Sequence, residues 1–354
     1  MSARRAAAII DATGALLILL TIAVAEVAAS AHGGDAGPLV ALVLAVAGMV
    51  VVGRLAGRMH RVLVPAAVAI VAVALALTSG VLDRGPLGGP FEYRNATGAF
   101  YVQAVVAALM VAAAVRWWPL RAVGIAVAVW FAAIAATVSV AAAACLIVVA
   151  VASIALGGAR MARASIVAVA LISVVVLAGT VALGVGHRPG ADPVFARALT
   201  ERRLELWHES LALIADHPGG VGPGRFQDVD PTALQDRDAR WAHNEFLQQG
   251  VELGWAGLVL VVLLFLWGFA RLWVHPAPDL VVALGAASLA ALGIHASVDY
   301  VLHFPALPLA AAALVGTAQT VRSRRSRRDD DDAGQEGLEG DAHPSRVADA
   351  PAAG

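Results

Sequence analysis

The stretch His243-Asn-Glu-Phe-Leu-Gln-Gln-Gly-Val-Glu252-Leu-Gly-Trp-Ala-Gly257-Leu-Val-Leu-Val-Val-Leu-Leu-Phe-Leu-Trp-Gly-Phe-Ala270 decides the class of fold. It opens polar and carries no charge from Leu253 to Ala270. A helix needs roughly 17–25 mainly apolar residues to cross a bilayer, so this one is read as entering a membrane from its polar end. Upstream lies a polar stretch from Arg188, set in a chain that is otherwise almost all apolar.

Composition agrees. The 354 residues are 60% hydrophobic and 14% charged, with mean hydropathy +0.77. Soluble domains are about 45–50% apolar and 25% charged, so the chain is read as an all-α polytopic membrane protein. All 25 basic residues are Arg. Cys145 is the only cysteine, which excludes an intrachain disulfide and a cysteine-based metal site.

About ten spanning helices are expected, near 8–30, 38–53, 62–82, 99–115, 121–138, 140–157, 165–186, 250–270, 280–297 and 302–320. The organisation is then residues 1–186 with seven helices, a large loop 187–249, helices eight to ten over 250–321, and a tail 322–354. Arg residues in short loops mark the cytoplasmic side. Arg4, Arg5, Arg54, Arg58, Arg61, Arg116, Arg121, Arg160, Arg163 and Arg271 fall on one side, and so does the Arg-rich start of the tail. Both termini are therefore placed in the cytoplasm and the large loop outside the cytoplasmic membrane. The first apolar run is read as a retained helix rather than a cleaved signal. The tail is read as disordered, with no catalytic part.

Within the polar stretch, Pro193 to Asp216 has helical spacing, and His217-Pro218 stops the helix. Arg203, Trp207 and Ser210 share a face. The helix is expected to lie on the outer membrane surface with Trp207 at headgroup level. Arg202 and Arg203 have two readings, as interfacial anchors or as a guanidinium fork holding a lipid-linked phosphate. Gly219-Gly-Val-Gly222-Pro-Gly224 is a tight turn that returns Arg225 to the membrane surface. It lacks the flanking strand and the Gly-Lys-Ser/Thr of a nucleotide loop.

His243 is expected at the mouth of the eighth helix. If that helix is unbroken, His243, Leu247, Gly250, Gly254 and Gly257 share one side and Glu252 faces roughly opposite. A direct pair between His243 and Glu252 is then not expected. Near neutral pH, His is the natural general base. Asp228-Val-Asp230 and Asp236-Arg-Asp238 have a metal-binding spacing but are read as solvated loop. His208, His217 and His243 are too scattered for a zinc site. His295, Asp299 and His303 cluster at the turn between the last two helices, either solvated at the interface or part of the site.

Several segments together resemble the O-antigen ligase and O-antigen polymerase superfamily. They are Arg203-Leu-Glu-Leu-Trp207, His217-Pro-Gly-Gly-Val-Gly-Pro-Gly224, His243-Asn-Glu-Phe-Leu247 and Glu252-Leu-Gly254-Trp-Ala-Gly257, in that order. The stretch from His295 to Pro305 is also similar to family members, as more weakly is Gly89-Pro-Phe91 to Asn95. Where members often carry Ser-Arg-Gly, this chain reads Ser139-Val140-Ala141. The resemblance implies a GT-C-like membrane glycosyltransferase. It would move or polymerise a glycan from an undecaprenyl diphosphate carrier onto an acceptor hydroxyl, without a cofactor or metal. It implies His243 as the catalytic residue and Arg203 on the diphosphate. Arg225, Arg237 and Arg240 are further phosphate candidates by charge and side. Trp207, Asn244 and Glu252 are taken as supporting residues. Two other readings stay open: a transporter or flippase for lipid-linked glycans, and a non-catalytic family member that assists assembly.

Overall fold

A computed structural model describes residues 3–80, 89–186, 201–236 and 239–320. The expectations for Arg188, residues 193–200, Arg237, Asp238 and the tail lie outside these. Among the described residues the regular structure is all helix, with no strand. In chain order the helices are α1 (Ala3–His32), α2 (Gly37–Met59), α3 (Leu63–Thr78), α4 (Arg94–Ala114), α5 (Trp118–Val138), α6 (Val140–Ser153) and α7 (Ala159–Gly186). The polar stretch forms α8 (Glu201–Asp216) and two single turns, α9 (Phe226–Val229) and α10 (Pro231–Gln235). Last come α11 (Glu245–Trp273), α12 (Leu280–Ala296) and α13 (Ala306–Ala318).

The chain is a helical, multi-pass membrane protein. Among the described residues, six helices are long and apolar enough to cross a membrane: α1, α2, α4, α5, α7 and α11. The other four predicted spans appear as shorter apolar helices, α3, α6, α12 and α13. Helices α2 and α4 extend beyond the runs read from sequence, because residues such as Gly57 and Asn95 are absorbed into them.

Two classes of helix surface follow from packing. The outer faces of α1, α2, α3, α5 and α7 leave large apolar side chains uncovered, among them Leu19, Val51, Ile70, Val129 and Val175. Such a surface suits lipid rather than water. Helices α4, α12 and α13 are buried almost end to end. At their centre Gln103 and Ser288 bond each other, with Ser288 Oγ donating to Gln103 Oε1 at 2.5 Å. Two polar side chains that pair this way avoid the cost of unsatisfied groups in an apolar interior. Helix α2 lies so close to α13 that a Cβ on Gly53 would sit 2.2 Å from the Ala313 carbonyl oxygen.

At the opposite end of the bundle from the polar stretch, Asp11 bridges Arg54 (2.7 Å) and Arg271 (3.1 Å). This ties α1, α2 and α11 together. Asp11, in the first turns of α1, is thus a clamp between three helices.

Candidate active site

The site is built where α8, the segment before α11 and the turn after α12 meet the start of α4. Its centre is Asp299, whose side chain is fully buried. His243 Nδ1 lies 2.9 Å from Asp299 Oδ1, which also accepts the Tyr300 backbone N–H at 2.8 Å. Arg203 Nη2 donates to Oδ2 at 3.0 Å and the Tyr93 hydroxyl donates to it at 2.6 Å. Asn95 Nδ2 is a further partner of Oδ2. Asn95 Oδ1 in turn accepts from Ser139 Oγ at 2.7 Å. Ser139 Oγ accepts the Ala142 backbone N–H and so caps α6.

Burial raises the pKa of Asp299, but the His243 hydrogen bond and the Arg203 charge outweigh it. Helped by the Tyr93 hydroxyl, they hold the carboxyl well below the usual range. The group is therefore an ionised, acceptor-only carboxylate. Against it, His243 Nδ1 carries a hydrogen, so that in the neutral imidazole the lone pair lies on Nε2. Burial, and then Asp299, push the Tyr93 phenol far up, so Tyr93 remains a donor.

His243 is held by its backbone as well. It sits at φ +48°, uncommon for a residue with a side chain. Such strained positions cluster at functional sites. Asn244 follows as the N-cap of α11, its Oδ1 accepting the N–H groups of Phe246 and Leu247 at 3.1 Å each. Its Nδ2 reaches Thr180 on α7 at 3.3 Å. His243 thus precedes the helix rather than sitting on it.

Helix α11 is also interrupted at Gly254, with φ +69° and ψ −164°. The expected stripe from His243 to Gly257 does not exist, because the break resets the rotation. The break is where the glycine-rich turn docks. Val221 and Gly222 donate to the carbonyls of Val251 and Glu252, both at 3.0 Å, and Trp255 N–H donates to Pro218 O at 3.2 Å. Glu252 fastens the same turn, with Oε2 accepting Gly224 N–H at 2.9 Å and Oε1 accepting Gln248 Nε2 at 3.0 Å. Glu252 is a brace for this turn and makes no contact with His243.

Trp207 is fully buried, not at headgroup level. It packs with Leu206, Ile214 and Leu247, and its Nε1 donates to the His243 carbonyl at 3.2 Å. The apolar side of α8 faces α7 and α11 instead of lipid. Arg225 lies elsewhere: Nη1 donates to His32 O at 2.5 Å and Nε pairs with Asp228 at 3.4 Å, tying the turn to the end of α1. Arg240 is exposed three residues before His243. Asp228 and Asp230 point to different tasks: Asp230 is buried and caps α10, while Asp228 pairs with Arg225. Among the described residues no three His, Cys, Asp or Glu side chains converge on one point.

Beside the Asp299 cluster stands an aromatic layer. Tyr300 stacks on Tyr93 at 4.8 Å, meets His243 edge-on at 4.8 Å and lies 6.2 Å from Trp241. Trp241 is 3.9 Å from His303, which pairs with buried Glu245 at 3.0 Å.

Tyr93 was missed by sequence reasoning. Its signal was weak: a tyrosine two residues before Asn95, in a loop with no periodicity. Residues 125–262 match the family model described as O-Antigen ligase. The match includes Arg203, Trp207, His243 and Glu252 and stops before Asp299. No curated protein matches the chain. The chain is therefore related to the O-antigen ligase family over that stretch.

Proposed function

We propose that this O-antigen ligase-related membrane protein transfers a glycan from an undecaprenyl diphosphate carrier to an acceptor hydroxyl at the outer face of the cytoplasmic membrane. The observation that carries the reading is one buried carboxylate, Asp299, holding both His243 and Arg203.

The acceptor hydroxyl attacks the anomeric carbon. Its proton passes to His243 Nε2, the carbon–oxygen bond to the diphosphate breaks, and the electron pair leaves on the diphosphate. His243 is the base, and Asp299 orients it and stabilises the imidazolium that forms. Arg203, oriented by its Nη2 contact with Asp299, supplies the positive charge that stabilises the leaving diphosphate. Fixed donors of this kind need no metal. Trp207 and Asn244 position His243 through its carbonyl and the cap of α11.

The test is deletion of the gene in its host, complemented with wild type, His243→Ala or Arg203→Ala at matched membrane levels. Transfer predicts that both variants lose mature surface glycan and accumulate lipid-linked precursor on the outer leaflet. Full restoration by both variants contradicts it. Precursor trapped on the inner leaflet would favour a transporter instead.

A further inference from the structure

Among the described residues, the non-glycine positions with positive φ are His243 at +48° and Glu92 at +53°. The first is the proposed base. The second opens the run Glu92-Tyr93-Arg94-Asn95 at the head of α4. Strain of this kind persists only where the surrounding structure holds a segment in place. Tyr93 and Asn95 both reach Asp299 Oδ2. Arg94, between them, does not.

Instead Arg94 Nε donates to the Val138 carbonyl at 3.2 Å, at the C-terminal end of α5. Among the described residues Nη1 and Nη2 have no hydrogen-bond or ion-pair partner. Arg94 is also exposed. A helix C-terminus attracts a cation, but this cap uses only one of the N–H donors of the guanidinium. The group is anchored at Nε with its outer edge open, and that edge makes the paired bonds to phosphate.

Beside the anchor, Ser139 Oγ donates to Asn95 Oδ1, and the next residue, Val140, is 85% exposed. Val140, Ile147 and Ile154 are all exposed and lie seven residues apart. They fall on one face of α6 and the single turn after it. Large uncovered apolar side chains on one face suit lipid. Arg94 thus stands where a lipid-facing surface meets the site. Arg203 stands further in, on buried Asp299.

We propose that Arg94 binds the lipid-side phosphate of the diphosphate carrier, whose chain lies along α6, while Arg203 binds the sugar-side phosphate. This assignment rests on the transfer reading and adds a second cation, the phosphate it holds and the side from which the carrier enters. The charge that departs with the diphosphate is then shared between two fixed guanidiniums.

The full chain in phosphatidylcholine nanodiscs is titrated with farnesyl diphosphate and, separately, with farnesyl monophosphate, which carries the lipid-side phosphate alone. Arg94→Gln should raise Kd at least about tenfold for both probes. Arg203→Ala should do so for the diphosphate and leave the monophosphate within about threefold. Arg94→Lys can still donate to the Val138 carbonyl, so its thermal midpoint should stay near wild type. It cannot span that carbonyl and a phosphate, so it should still weaken both probes severalfold. Wild-type affinity for both probes in the two Arg94 variants overturns the assignment and leaves Arg94 as a cap on α5. So does a loss in Arg94→Gln confined to the diphosphate, or a wild-type chain that binds neither probe saturably. If the expected pattern appears and no glycan is transferred, Arg94 keeps its phosphate and the transfer reading falls. If glycan is transferred and the Arg94 variants bind as wild type, only this assignment falls.

Discussion

Asp299 accepts a hydrogen bond from His243 at 2.9 Å, although 56 positions of sequence separate them. The same carboxylate holds Arg203, from a third part of the chain, at 3.0 Å. One buried anion thus sets the tautomer of the imidazole and the orientation of the guanidinium. In the proposed transfer it couples the base to the phosphate-binding cation, and a change at either should be felt by the other.

Arg203→Lys keeps the charge and loses the planar fork. A lysine can reach Asp299 or the diphosphate but cannot span both. Transfer kinetics should show a partial loss for Arg203→Lys, with a raised KM for the donor, and a loss of about a hundredfold or more for Arg203→Ala. Equal rates for wild type and Arg203→Ala would remove Arg203 from the site.

Asn95 and Ser139 act one step further out. Asn95→Ala removes a neutral donor from Asp299, and a net hydrogen bond is worth about 1 kcal/mol. Ser139→Ala loosens Asn95 and uncaps α6. Each should slow transfer by less than about tenfold and leave donor KM nearly unchanged. A complete loss in a well-folded Ser139→Ala protein would assign that serine a more direct part.

Asp230 predicts a pH dependence of stability. Burial pushes its carboxyl up to about 7, and Glu209 beside it adds to the rise. The folded chain then holds a proton that the unfolded chain releases near 3.8. Stability from the protonated group is full below that value and is lost as pH rises through about 7. Asp230→Asn keeps an oxygen to cap α10 and cannot ionise. Its thermal midpoint should exceed that of wild type by more at pH 8 than at pH 5. Identical curves at both pH values would contradict this.

Gly254→Ala tests the break in α11. A Cβ there would sit 2.1 Å from the Pro218 carbonyl oxygen, and φ is +69°. The substitution should cost at least about 1–3 kcal/mol and lower the thermal midpoint. It should also slow transfer, because the displaced turn carries the Gly224 contact to Glu252. A midpoint equal to wild type would show that the turn can dock on a continuous helix.

The apolar helices were legible because a bilayer demands long uncharged runs, and runs such as Leu253–Ala270 have no other use. Arg203 and His243 were legible because the order of several short segments resembled a family. Asp299 was visible only as one of three polar residues at a turn; nothing in local sequence says which of them faces inward. Tyr93 was invisible, since its role comes from contacts across more than two hundred positions. Trp207 misled because an interfacial helix and a helix packed on its own protein show the same amphipathic spacing. The break at Gly254 was hidden because a glycine within an apolar run is equally compatible with close helix packing. Only the docking turn, brought from 30 residues upstream, forces the backbone open there.

The most direct test is the glycan-transfer rate of purified Asp299→Asn in reconstituted membranes, beside wild type and His243→Ala. Asparagine keeps the shape, but it loses the charge that fixes His243 and can offer N–H where the imidazole needs an acceptor. The account predicts that Asp299→Asn, folded and with wild-type thermal behaviour, falls on the order of 10²–10⁴-fold, close to His243→Ala. A rate within a few-fold of wild type would contradict the claim that Asp299 organises the site.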